Sequence, residues 1–168
     1  TFFEAEADFW RDRIDEADAA LLRAIAGFDQ LGDRLNRGRA RTNRGALFVQ
    51  TGRYADALAL FDGARRDLFG DDPIDARLMA DETDDADSDL HQAAILLLDQ
   101  AGAYLALNLR PEAAAGLDQC EALFQRAGQP YEHGQTLYMR GLLFLGDGDL
   151  DRAAAALDDA LGRFVTLG

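Results

Sequence analysis

Apolar residues recur along this chain at spacings of three and four, and short polar turns interrupt them. The segment around Gly52 shows the pattern most compactly, with Gly45 and Phe48 before the turn and Ala57 and Phe61 after it. This pattern predicts two amphipathic helices joined at Gly52, because glycine tolerates the positive φ at which helices end. Such a pair leaves its outer faces uncovered, so it needs neighbouring helices.

The same pattern predicts an all-α chain. A shorter aromatic helix containing Phe2, Phe3, Phe9 and Trp10 comes first. Longer helices are predicted over about 14–31, 34–51, 54–68, 89–107, 111–128, 131–145 and 150–167. Turns are expected at Gly52, at Asn108 and over 146–149, because glycine and asparagine accept left-handed backbone.

A repeat becomes visible when the second helices of the pairs are aligned. Each carries an alanine at the same place in its apolar stripe, at Ala17, Ala57, Ala113 and Ala153. These alanines stand 40, 56 and 40 residues apart, as expected for an array with one insertion. The predicted units are 1–33, 34–69, 89–128 and 131–168, with an acidic insertion at 70–88.

These units resemble tetratricopeptide repeats (TPRs) of the longer bacterial variety. That family repeats a bulky residue, a Leu-Gly pair and an aromatic residue, followed after the turn by an alanine and a second aromatic. The matching positions are Arg41, Arg44, Gly45, Phe48, Ala57 and Phe61; then Leu97, Gln100, Ala101, Tyr104, Ala113 and Leu117; then Leu137, Arg140, Gly141, Phe144, Ala153 and Leu157. The resemblance implies a right-handed α-α superhelix, a solenoid of four antiparallel helix pairs.

Two arginines depart from the pattern of the family. Arg44 and Arg140 stand where TPRs carry a leucine. We expect each stem to pack within the array while the guanidinium reaches a carboxylate of the preceding unit, such as Asp18 or Glu121. The glycine that follows each arginine is expected at a close contact between helices.

Composition excludes several classes of protein. At 168 residues and 48% hydrophobic, the chain is long enough to bury a core as one domain. Its 17 basic residues, all arginine, stand against 31 acidic ones, and the net charge of -14 disfavours nucleic acid and anionic membranes as partners. The one cysteine, Cys120, excludes an internal disulfide and fits a reducing compartment, so a cytoplasmic location is expected.

The hydropathy and the first residues of the chain bear on membrane insertion, secretion and completeness. No apolar run approaches the roughly 18 residues of a membrane span, and no cleavable signal opens the sequence. Residues 1–8 read as the interior of a helix, which favours a fragment of a longer protein.

No catalytic motif is present in the sequence. A phosphate loop, a dinucleotide fingerprint and a nucleophile elbow are all missing. His91 and His133 have no Cys, Asp or Glu nearby at metal-ligand spacing, and His133 is expected near a helix start. Cys120 falls in an apolar stripe, where a buried thiol is the ordinary explanation. We therefore predict no enzymatic activity, metal or cofactor.

Two Asp-x-Asp-x-Asp runs resemble the opening of a calcium-binding EF-hand loop. They begin at Asp85 and Asp147. Leu90 and Arg152 stand where the turn glycine of that loop belongs, so calcium binding is not predicted. A solvated acidic segment is the alternative, and at 70–88 it is predicted to be the most mobile part of the chain.

Four arginines lie along one side of the third predicted helix, at Arg34, Arg37, Arg41 and Arg44. One interpretation is a binding site for an acidic peptide or a nucleic acid. The favoured interpretation is pairing with acids of the preceding helix, which are Asp15, Glu16, Asp18 and Asp29.

The resemblance also implies a binding surface on the first helix of each pair. Family members that hold an acidic chaperone tail use Lys, Asn and Arg there. The matching positions here are Thr42, Ala46, Val49, Leu98, Gly102, Leu105, Tyr138, Leu142 and Leu145. Because these residues are apolar or small, charge capture is not predicted, and the groove favours an amphipathic helix or another part of the same polypeptide.

Two functions remain open on the sequence. The first is a non-catalytic scaffold that binds proteins or peptides through the apolar groove, which a partner helix, a missing segment or a second copy of the array would cover. The second is a regulatory or sensing segment of a larger bacterial protein, such as a transcription regulator or a CHAT-type caspase-like protease.

Overall fold

The computed structural model describes residues 2–70, 86–126 and 128–167, with side chains described within 13–70, 91–125 and 128–166. These residues form helices and turns and contain no strand. The helices are α1 (Phe2–Leu31), α2 (Arg34–Gln50), α3 (Tyr54–Phe69), α4 (Ala86–Ala106), α5 (Arg110–Arg126), α6 (Pro130–Asp147) and α7 (Leu150–Leu167). The predicted all-α class is confirmed for this part of the chain.

Five of the turns between helices are built in the same way. Each contains one residue with positive φ, and these are Gly32, Gly52, Asn108, Gly128 and Gly148. The next backbone N–H donates to a carbonyl five residues back, at distances of 2.8–3.1 Å. The accepting residue is aromatic every time, namely Phe28, Phe48, Tyr104, Phe124 or Phe144. This is the helix-ending bond of the Schellman motif, so the aromatic and the glycine or asparagine four places later together mark where each helix stops.

The chain divides into two compact units, Thr1–Asp71 and Asp72–Gly168. In the first unit α2 packs against both α1 and α3. Its core includes Phe48, Phe61 and Leu68, which are buried. A Cβ atom on Gly45 would collide with the ring of Phe61, so this glycine sets the close approach of α2 and α3.

The start of the first unit differs from the prediction. Two helices were expected before residue 32, but the backbone forms the single 30-residue helix α1. The segment between Trp10 and Ile14 is Arg-Asp-Arg, which contains neither glycine nor proline and therefore gives the helix no reason to stop.

In the second unit each helix packs against the next, and α4 also touches α6. Leu96, Leu117, Cys120 and Phe124 are among its buried side chains. A Cβ atom on Gly141 would lie 2.6 Å from Cγ of Leu157, so the expected close contact at this glycine is confirmed.

The two arginines that depart from the TPR pattern pair as expected. Arg44 Nε lies 2.5 Å from Asp18 Oδ1, which joins α2 to α1. Arg140 Nη2 lies 2.8 Å from Glu121 Oε2 and 2.9 Å from Asp118 Oδ1, which joins α6 to α5. Both arginine side chains are largely buried, so their stems fill space while their charges are neutralised.

The remaining arginines of α2 are also used within the first unit. Arg37 pairs with Asp29 of α1, as predicted, and with Asp67 of α3 at 2.5 Å. Arg41 pairs with Asp67 as well, and Arg34 donates to the backbone carbonyl of Arg66 at 2.7 Å. The pairing with the following helix was not predicted.

The predicted acidic insertion lies almost wholly outside the described residues. Within the described part of the chain, none of the helices is both long enough and apolar enough to cross a membrane.

Candidate functional site

Helix α6 carries three large apolar side chains that solvent reaches. The exposed fraction is 49% for Tyr138, 41% for Leu142 and 45% for Leu145. They follow one another at spacings of four and three residues, so they lie along one face of the helix. We call these three residues the α6 strip.

The strip is exposed because the other sides of α6 are occupied. Leu137 and Gly141 are buried, and Gly141 packs on α7. His133 and Arg140 face α5, where both approach Glu121. With these sides covered, the side that carries the α6 strip is left to solvent.

Helix α4 contacts α6 at Met139, which is adjacent in sequence to the strip residue Tyr138. A Cβ atom on Gly102 would lie 3.4 Å from Cε of Met139, the residue that follows Tyr138. Leu105, one turn further along α4, is half-buried. Leu109, in the turn that follows α4, is 38% exposed. The three predicted positions on α6 and the three on α4, of which Leu98 is buried, therefore belong to one compact unit.

Asp99 lies one turn before Gly102 on α4 and is half-buried. Burial raises the pKa of its carboxyl group from the ordinary value of 3.8 to about 6. No hydrogen bond or ion pair to Asp99 is found among the described residues. The sequence reasoning missed this residue, although an aspartate one position after an apolar groove position was the available signal.

The other predicted groove residues are less exposed to solvent than the α6 strip. Thr42 and Leu98 are buried, and the hydroxyl of Thr42 donates to the carbonyl of Gly38 at 3.1 Å within α2. Ala46 and Val49 are half-buried. Thr42, Ala46 and Val49 belong to the first compact unit, whereas the α6 strip belongs to the second.

A second exposed apolar face lies on α7. It comprises Leu150, Leu161 and Val165, with exposed fractions of 67%, 60% and 71%. Phe164 of the same helix is not part of this face, because its ring packs against Tyr131 with centroids 5.4 Å apart.

A cavity of about 480 Å³ lies between the end of α5, the start of α6 and α7. Its lining residues are Phe124, Gln125, Gly128, Gln129, Pro130, His133 and Arg163. The two basic groups already face carboxylates, since His133 Nε2 is 3.6 Å from Glu121 Oε1 and Arg163 Nε is 3.2 Å from Asp159 Oδ1. This pairing leaves little positive charge for an anionic ligand.

Cys120 is placed as predicted, fully buried in the second unit. Burial, followed by the charge of Asp99, raises the pKa of its thiol to about 12. A thiol with that pKa is almost entirely protonated at neutral pH, and it is therefore a poor nucleophile.

In comparisons with known proteins, no family model and no curated protein matched this chain.

Proposed function

We propose that the chain is a TPR-like scaffold and that its second unit binds an amphipathic helix on the α6 strip. The observation that carries the proposal is the exposure of Tyr138, Leu142 and Leu145 along one helix face. Side chains of this size on one stripe match the way an amphipathic helix docks, with apolar anchors at helical spacing.

Three features support a TPR-like scaffold as the host of this site. Within each unit, helices that follow one another in sequence contact each other. The turns share one hydrogen-bonding pattern with an aromatic residue at a fixed place. The family's small-residue positions at Gly45 and Gly141 coincide with close helix contacts. Each of these is expected of a repeat array, in which one supersecondary unit recurs.

The proposal is tested with a designed peptide that carries no charge, so that its binding reports only the contribution of the apolar face. A fluorescent peptide of about 18 residues, or five helical turns, would carry leucines on one face and only uncharged polar residues elsewhere. Fluorescence anisotropy measures its affinity for the protein. Leu142→Asp should weaken binding at least about tenfold, since it places a charge in the contact.

The matched control is Leu161→Asp on α7, which introduces the same charge at another exposed leucine. It should leave the affinity unchanged. Circular dichroism should show equal helix content for both variants. Equal affinities of wild type and Leu142→Asp would contradict the proposal.

A further inference from the structure

Asp99 is a carboxylate with no cation partner among the described side chains of the second unit. It is half-buried on α4, one turn from Gly102, where α4 meets Met139 of α6. Burying a charge without a partner is costly, which is why such groups are usually paired. The rise in the pKa of Asp99 has burial as its cause, and no described basic group contributes to it.

The described arginine side chains of the second unit are engaged elsewhere. The pairs are Arg110 with Asp147 at 2.6 Å, Arg140 with Asp118 and Glu121 at 2.9 and 2.8 Å, Arg152 with Asp149 at 3.7 Å, and Arg163 with Asp159 at 3.2 Å. Moving one of them to Asp99 would leave another carboxylate unpaired. A cation for Asp99 would therefore have to come from outside this set.

We propose that the helix bound on the α6 strip carries an arginine or lysine beside its apolar face and that this cation pairs with Asp99. The inference rests on the proposed function and specifies the chemistry of the partner. A cation delivered by a bound helix would be partly shielded from water, so its pairing with Asp99 is stronger than that of an exposed ion pair. The net charge of -14 also favours the approach of a basic partner.

The test uses three peptides that share the same leucine face and differ only in the two positions that flank it. These positions hold lysine, glutamine or glutamate. Wild-type protein should bind the lysine peptide about tenfold tighter than the glutamine peptide, which is the gain expected from a charge-assisted hydrogen bond in a partly buried site. It should bind the glutamate peptide most weakly.

Two protein variants separate a local pair from general charge attraction. Asp99→Asn keeps the shape of the side chain and should remove most of the preference for lysine over glutamine. Asp158→Asn removes one exposed acid from α7 and should keep that preference. Thermal melting with circular dichroism verifies that both variants are folded.

The outcomes distinguish failure of the Asp99 pairing from failure of the docking site on the α6 strip. Loss of the lysine preference in Asp99→Asn alone supports the inference. If the lysine and glutamine peptides bind wild type equally, or if Asp99→Asn retains the preference, the inference is wrong while the apolar docking site stands. If no peptide binds, the proposed function fails and the inference fails with it.

Discussion

At the scale of single residues, arginines such as Arg37, Arg44 and Arg140 connect helices that are neighbours in sequence. Asp67 shows this most clearly, because its side chain is only 5% exposed and it pairs with both Arg37 and Arg41. A buried carboxylate with two guanidinium partners is neutralised within the unit. Asp99 is the opposite case, since burial disfavours its charge and no described residue compensates.

This contrast gives a pH-dependent prediction for Asp99→Asn. The folded-state pKa of about 6 lies above the ordinary value of 3.8, so the unfolded chain ionises first as the pH rises. Asp99 therefore lowers the free energy of unfolding progressively between about pH 4 and 6, and the loss persists above that range. We expect Asp99→Asn to stabilise the protein by about 1–3 kcal/mol at pH 8 and to change little at pH 4.

Urea unfolding at the two pH values measures this difference. Asp158→Asn is the control, because that aspartate is exposed and should matter little at either pH. A stabilisation by Asp99→Asn that is as large at pH 4 as at pH 8 would show that its ionisation is not the cause.

At the scale of elements, glycine and aromatic residues determine where helices end and how closely they pack. Gly52 and Asn108 could be predicted as turn residues because few residue types accept left-handed backbone. The pairing of Arg44 with Asp18 was also predictable, since a charged residue at a position that the family fills with leucine requires a carboxylate from the adjacent helix. The burial of Asp67 was not, because only the packing of α3 on α2 removes that carboxylate from water.

Gly141 allows a direct test of helix packing. Leu157 Cγ would lie 2.6 Å from a Cβ atom placed there, so Gly141→Leu must separate α6 from α7. We expect a loss of about 1–3 kcal/mol in the free energy of unfolding, as for overpacked cores. Gly162→Leu on α7 is the matched control, since no atom lies within 4 Å of its Cβ position.

The control should be neutral or slightly stabilising, because leucine favours helix more than glycine does. Chemical denaturation gives both values. If the two variants were equally stable, the close contact at Gly141 would not exist in solution.

At the scale of the whole molecule, the helical class was predictable from periodicity, whereas the accessible part of the binding surface was not. The repeat register marked nine groove positions, but exposure depends on which neighbours cover each one. Thr42 and Leu98 turned out to be buried, whereas Tyr138 remains exposed on α6. All three residues hold the same place in the repeat, so the repeat register alone could not separate the buried positions from the exposed one.

We propose that a partner helix docks on the α6 strip. Photo-crosslinking tests it most directly, with the leucine-faced peptide carrying a photoreactive phenylalanine analogue on its apolar face and mass spectrometry locating the adducts. We predict adducts on α6 between Tyr138 and Leu145 and on α4 near Leu105, lost when excess unlabelled peptide competes. Competable adducts confined to Leu161 and Val165 of α7, or to the first unit, would contradict the claim.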